Sequence, residues 1–476
     1  MFDILIRGGE VVTPYGCGDY DVGISGEKVV AVDLSGTLRA DDDTRIIDAR
    51  GKIVMPGGID PHVHCSWHIP AIEGVAAQLT APPSQVSRAA LYGGTTTMID
   101  FAAWEEGETF EQTISRRDQD WRGRCHCDYA YHLMLRGGMP LELIDTLSEV
   151  IQAGYPTIKI FTTDITPSRR GRMVDFGYMW EVFQAMARWG GLGVIHAEDN
   201  DLVMHMYGRL FQEGRTSFEN MAEVHSVLSE DLSFRRVLRL AENVEGTALY
   251  MMHISAATGV AAVEEARAKK LPVYGETLHQ YMLYNQDDYR RPNGQIYHTY
   301  PSLKTEADQE ALWQATQNGS IHCIATDELC CRLSVKTQGQ RIDDTTGGNS
   351  GVEPRLAVMY QEMVTARGYS LSQYVDLVSS NAAKIMGLYP RKGAIAPGSD
   401  ADITLLDPNE ARVVRNEDLH ETDYTPWEGK RVSAWPVLTI LRGKVVVEKG
   451  SFFAEETDGQ YLPRRITGDI LDGTAL

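Results

Sequence analysis

At 476 residues the chain exceeds one small core and fits a large α/β barrel with a smaller companion domain. Its 43% hydrophobic and 23% charged composition is that of a globular protein. The formal net charge of −21, with no basic run to offset it, argues against nucleic-acid and anionic-membrane partners. The first fifty residues read as short strands punctuated by glycine: Asp3–Arg7, Asp21–Ser25, Val29–Asp33 and Ile46–Asp48. Their alternation predicts a half-buried antiparallel sheet. The same texture returns in Ala401–Leu406 and Val437–Val447.

Between these ends, apolar runs alternate with longer amphipathic stretches. The runs are Thr96–Phe101, Thr157–Phe161, Gly193–His196, Ala248–His253 and Ile321–Ala325. Strand–helix alternation over this length predicts a parallel β/α barrel inserted into a small sheet domain that both chain ends build. The expected division is 1–54 and 393–452 for the sheet domain, 55–392 for the barrel and 453–476 for a tail. That tail is polar with Gly and Pro, and is expected either to pack on a neighbouring subunit or to be mobile. The N-terminus has no basic segment leading an apolar core, and no apolar run is long enough to span a bilayer. Seven cysteines, an odd number without small-scaffold spacing, suit reduced thiols in the cytoplasm. Cys125-His126-Cys127 looks metal-like, but its residues alternate within an expected strand and lack a C-x-x-C partner.

Chemistry concentrates where the apolar runs end. Gly57-Gly-Ile-Asp-Pro-His-Val-His64 places two histidines one residue apart, so both imidazoles project on one side while Val63 turns into packing. That pair is either a metal site or the polar end of a strand. Lys159 lies inside Thr-Ile-Lys-Ile-Phe, where a bare ammonium is costly to bury. His196 closes Gly-Val-Ile-His, His253 closes Tyr-Met-Met-His, and Asp327 follows Cys-Ile-Ala-Thr. Reactive groups of a β/α barrel sit at the C-terminal strand ends, and six residues placed this way form one constellation. Four imidazoles, an aspartate and a lysine are the inventory of a dinuclear Zn2+-type site. Protonated lysine cannot ligate, but its carbamate with CO2 is an anion able to bridge two metals.

These residues, with His196-Ala-Glu198, His253-Ile-Ser255, Thr326-Asp327, Asn381–Leu388 and Lys392–Asp402, resemble the cyclic amidohydrolases. Within them the chain is similar to the dihydropyrimidinase and D-hydantoinase group over nearly its whole length. The resemblance implies a TIM (β/α)8 barrel with a flanking β-sandwich domain, and a homotetramer. It implies that His62, His64 and Asp327 bind one divalent ion and His196 and His253 a second, most simply Zn2+, with N6-carboxylated Lys159 bridging them. The expected reaction is hydrolysis of a small cyclic amide or ureide by a hydroxide held between the metals, with Asp327 moving the proton to the leaving nitrogen. An allantoin-like ureide, an acyclic amide or a carbamate would suit the same site. A non-catalytic assembly scaffold, a role some relatives adopt after losing ligands, fits poorly because all six positions are filled.

Substrate recognition departs from the family pattern. The family carries a tyrosine five residues after the bridging lysine, and direct counting puts Asp164 there. The following loop holds Arg169, Arg170 and Arg172, so an arginine is expected to take over the stabilising role, or to meet a substrate carboxylate. The family's Ser-Pro-Pro-Leu-Arg is here Tyr300-Pro-Ser-Leu-Lys304, and its Glu-Asn-Arg is Glu353-Pro-Arg355. Glu328 stands where histidine is common. Asp164, Arg169, Arg170, Tyr300, Ser302 and Pro354 are therefore the candidate substrate contacts.

Overall fold

The computed structural model describes residues 2–72 and 74–476. Eight parallel strands form the central sheet in chain order: β1 Gly58–Asp60, β2 Thr95–Ala103, β3 Asp128–Met134, β4 Thr157–Phe161, β5 Leu192–His196, β6 Ala248–Met251, β7 Val273–Leu278 and β8 Cys323–Ala325. The ring closes just past β1 and β8. Val63 bridges Glu328 in parallel, the His64 amide donates to the Glu328 carbonyl (2.7 Å), and the Glu328 amide donates to the His62 carbonyl (3.2 Å). This closure sets the His-x-His segment beside Asp327.

Side chains fill the barrel rather than leaving a pore, as in other barrels of eight strands. Ile59, Ile99, Phe101, Ala130, Leu192, Val194, Ala248, Tyr250 and Tyr274 pack in one buried cluster. Helices cover the outside. The one after the unusual loop, Phe176–Trp189, starts at Asp175, whose carboxylate accepts the Tyr178 amide, and stops at Gly190 with φ 77°.

Both chain ends build the flanking nine-stranded sheet. Its path runs from Ser451–Phe452 through Lys444–Glu448, Trp435–Leu441, Ile403–Asp407, Ile53–Pro56, Ile4–Thr13 and Gly16–Ser25 to Lys28–Leu34. One pairing differs from the expected antiparallel order: Arg45–Asp48 lies parallel to Ile4–Thr13, as does Ile53–Pro56 farther along the same strand. Ile6, Val22, Ile24, Val29, Val54, Ile403 and Leu405 form its separate core. Buried Lys392 ties this sheet to the barrel, pairing with Asp128 (2.6 Å), Asp402 (2.6 Å) and Asp400 (3.0 Å). Burial opposes the Lys392 charge, but the three carboxylates outweigh it and raise the pKa.

The tail, expected to pack on a neighbouring subunit or to be mobile, is held by its own chain. It packs on its own barrel: the Tyr129 amide donates to the Gln460 carbonyl (3.0 Å) and the Leu462 amide to the Tyr129 carbonyl (2.8 Å). Leu462, Ile466 and Ile470 recur every fourth residue and are buried in the barrel cluster. That apolar spacing outweighs the tail's polar composition.

Candidate active site

The strand ends bring the six expected residues to one mouth of the barrel. His62 and His64 follow β1, Lys159 sits within β4, His196 ends β5, and His253 and Asp327 stand two residues beyond β6 and β8. His253 (φ 38°) and Asp327 (φ 53°) occupy the left-handed backbone region, which non-glycine residues adopt only at a cost. Surrounding structure holds that strain, which aims both side chains at the shared centre.

Two groups of donor atoms result. In the first, Asp327 Oδ1 lies 3.1 Å from His62 Nε2 and 3.0 Å from His64 Nε2. One donor atom from each of the three residues lies within 4.8 Å of the others, a spacing that suits a divalent ion. His62 Nδ1 lies 2.8 Å from the Glu276 carboxylate, which fixes the ring with Nε2 facing Asp327. In the second, His196 Nδ1 lies 2.9 Å from His253 Nε2, while His196 Nε2 faces Glu198 Oε2 at 3.0 Å. Glu198 also faces His225 Nδ1 at 2.8 Å.

Electrostatics favour neutral ligands at most of these positions. Burial holds His64 down to about 3 and His196 down to about 4, and pushes His253 well below the usual imidazole range. His62 is the exception. Burial opposes its charge, but Asp327 and Glu276 raise it to about 9. The Asp327 carboxyl, despite burial, is held well below its usual range by His62 and His64. Burial lowers Lys159 to about 7; its ammonium meets Met252 Sδ (2.8 Å) and the Phe161 face (4.6 Å), with no carboxylate ion pair among the described residues. A buried amine without an anionic partner fits conversion to a carbamate.

The cavity over these groups measures about 320 Å3 and sorts the candidate substrate contacts. Arg169 and Tyr300 line it; Asp164, Arg170, Ser302 and Pro354 do not. The Asp164 carboxylate turns away to accept the backbone amides of Arg172 (3.0 Å) and Met173 (2.9 Å). Arg170 is exposed, and Ser302 Oγ donates to the His225 carbonyl (3.0 Å). Pro354 is buried at the start of the helix Arg355–Tyr360. Glu276, which orients His62, and Arg136, which lines the cavity, were not singled out in the sequence, and Glu198, which orients His196, was named there only as part of a motif. Glu198 alone had a local signal, standing two residues after His196.

A closed parallel barrel with histidines, a lysine and an aspartate gathered at one mouth defines a metal-dependent hydrolase of the β/α-barrel type. The sequence model of the Amidohydrolase family matches residues 53–446, and the chain belongs to that family. It is 32% identical to a D-hydantoinase of Geobacillus stearothermophilus over 98% of this chain and 98% of that one. Its fold is similar to a dihydropyrimidinase from Brevibacillus agri, with TM-score 0.90, 31% identity and coverage of 97% and 98%. It is also similar to an L-hydantoinase (dihydropyrimidinase) from Arthrobacter aurescens, with TM-score 0.86, 26% identity and coverage of 98% and 100%. Relatives of both named stereochemical types share the fold, so the fold alone does not set hand preference.

Proposed function

We propose that the protein hydrolyses the C–N bond of a small cyclic amide or ureide, opening the ring to an amino or ureido acid. The convergence of His62, His64, Lys159, His196, His253 and Asp327 on one cavity carries this reading. His62, His64 and Asp327 would hold one divalent ion and His196 and His253 another, with carboxylated Lys159 as bridge; the nitrogen and oxygen donors suit Zn2+. When bound, such ions supply an activated water and polarise the scissile carbonyl.

The protein's own groups provide proton transfer and orientation. Asp327 is held as a carboxylate, the form a general base requires, and Thr299 Oγ1 donates to its Oδ2. In this role it accepts the proton of the attacking water as the O–C bond forms and returns it to the leaving nitrogen as C–N breaks. Glu276 and Glu198 hold His62 and His196 in fixed orientations. Arg169 and Tyr300 are the wall residues proposed to contact the substrate.

The proposed working unit is a cytoplasmic homotetramer, supported by the family resemblance and the reduced-thiol composition. Among the described residues no helix is long and apolar enough to cross a membrane. The proposed division keeps 55–392 as the catalytic barrel, 1–54 and 393–452 as the flanking domain and 453–476 as the tail, supported by a buried cluster that the sheet builds on one face, while Val12, Ile53, Leu406 and Trp435 share a cluster with the barrel. The test is a panel of cyclic ureides and imides, including hydantoin and dihydrouracil, given to protein purified without chelator and with bicarbonate. About two divalent ions per chain and ring-opened acid are expected. A metal-replete preparation that leaves every ring intact defeats the reading.

A further inference from the structure

Three guanidinium groups line the candidate catalytic cavity without an ion pair to any acidic side chain among the described residues. Arg136 follows β3, and Arg169 and Arg172 belong to the loop after β4; all three line the cavity that holds the six candidate ligands. Two other arginines on the same wall are neutralised. Arg116 pairs with Glu108 (2.7 Å) and Glu105 (3.5 Å), and Arg117 with Asp120 (2.9 Å) and Asp100 (2.5 Å). By contrast, Arg136, Arg169 and Arg172 have no ion pair and no side-chain hydrogen bond among the described residues, and Arg136 Nε is buried without any partner.

The loop arranges this deliberately unbalanced charge. Between Thr162 and Val174 the only acidic residue is Asp164. Its carboxylate is spent on the backbone amides of Arg172 and Met173, so it fixes the loop rather than facing the guanidiniums. Arg172 lies over the Phe161 ring (5.2 Å) and Arg169 over the Tyr300 ring (5.5 Å). A ring face accepts no conventional N–H···O bond, so these cation–π contacts leave the guanidinium donors available for a carboxylate, which can take two of them at once. Burial, then the charges of Arg169 and Arg136, work against the Arg172 charge, and the Asp164 carboxylate offsets them only in part. Like charges left this way are unfavourable until an anion enters.

We infer that the substrate ring carries an exocyclic carboxylate, received by Arg172 together with Arg136 and Arg169. The ring's identity rests on the ring-opening function proposed above; the anion pocket does not. The substrate class is a hydantoin or dihydropyrimidine whose ring substituent ends in a carboxylate, and its hydrolysis product is a ureido dicarboxylate.

The test compares equilibrium binding of 5-carboxymethylhydantoin, its uncharged isostere 5-carbamoylmethylhydantoin and inorganic phosphate to the purified protein by calorimetry, with turnover of both hydantoins followed in parallel. Charge-assisted hydrogen bonds predict that the acid binds roughly ten- to a hundredfold more tightly than the carboxamide. That ratio falls toward one in Arg172→Gln and in Arg169→Gln, the second serving as control should the first fail to fold, and is partly retained in Arg172→Lys. Equal affinity for acid and carboxamide overturns the inference, as does a preference that survives both glutamine variants. Phosphate binding more tightly than the acid overturns the carboxylate assignment. Acid-selective binding without ring opening leaves the anion pocket standing and defeats the hydrolase reading; ring opening without acid selectivity does the reverse.

Discussion

Glu276→Gln isolates the contribution of a group that only the folded barrel reveals. Glu276 is fully buried in β7 and accepts hydrogen bonds from the Tyr250 hydroxyl (2.9 Å) and the His253 amide (3.1 Å), with its Oε1 2.8 Å from His62 Nδ1. Glutamine keeps the shape and one acceptor oxygen, so the fold should survive. What disappears is the charge behind the contact that holds His62 Nε2 toward Asp327. A hydrogen bond to a charged group contributes about 1.5–3 kcal/mol against about 0.5–1.5 for a neutral one, a difference of about 1–2 kcal/mol. Metal affinity should therefore fall roughly five- to thirtyfold, in line with outer partners of metal-bound histidines. The pH dependence carries a sign. Glu276 helps raise metal-free His62 to about 9, so below that pH a metal must displace a proton from His62. The substitution weakens that competitor too, so the affinity loss should be smaller at pH 7 than at pH 9. Titration against a chelating indicator at both pH values measures it. Unchanged affinity at pH 9, with the fold intact, refutes the orienting role.

Asp327→Asn should retain the circular-dichroism spectrum but lose turnover by roughly 10²–10⁴-fold, and near-normal turnover would assign proton transfer elsewhere. Lys159→Ala should lose most bound metal and activity, with partial recovery in short carboxylic acids; full metal content in the variant contradicts the bridge. Lys392→Met leaves buried Asp402 with no ion-pair partner among the described residues, while Asp128 keeps Arg442 and Asp400 keeps Lys28 and Arg391. It should cost about 3–5 kcal/mol in urea unfolding, and a negligible change would show that the network is dispensable. Asp164→Tyr should not increase dihydrouracil hydrolysis, because this side chain faces the loop amides; a rise in kcat/KM would show that it reaches the cavity.

The candidate ligands were legible in sequence because each is a polar residue in or at the end of an apolar run, and a barrel gathers such ends by topology alone. Their orienting partner Glu276 was not legible. It lies 214 residues from His62, in a strand whose Val-Tyr-Gly-Glu-Thr-Leu sequence mixes polar and apolar positions. Alternation in the N-terminal strands predicted a sheet, but a period of two assigns faces and says nothing of direction, so the parallel pairing of Arg45–Asp48 with Ile4–Thr13 escaped it. Asp164 shows the same limit at one residue. Counting from Lys159 fixes which side chain stands at that position, not where it points. Ile165, with φ 67°, takes a left-handed conformation that a β-branched residue rarely adopts, and Asp164 just before it meets amides eight and nine residues ahead. An acidic residue in the sequence thus leaves the cavity wall basic. Its carboxylate acts by positioning Arg172, and the charge a substrate meets is the arginine's.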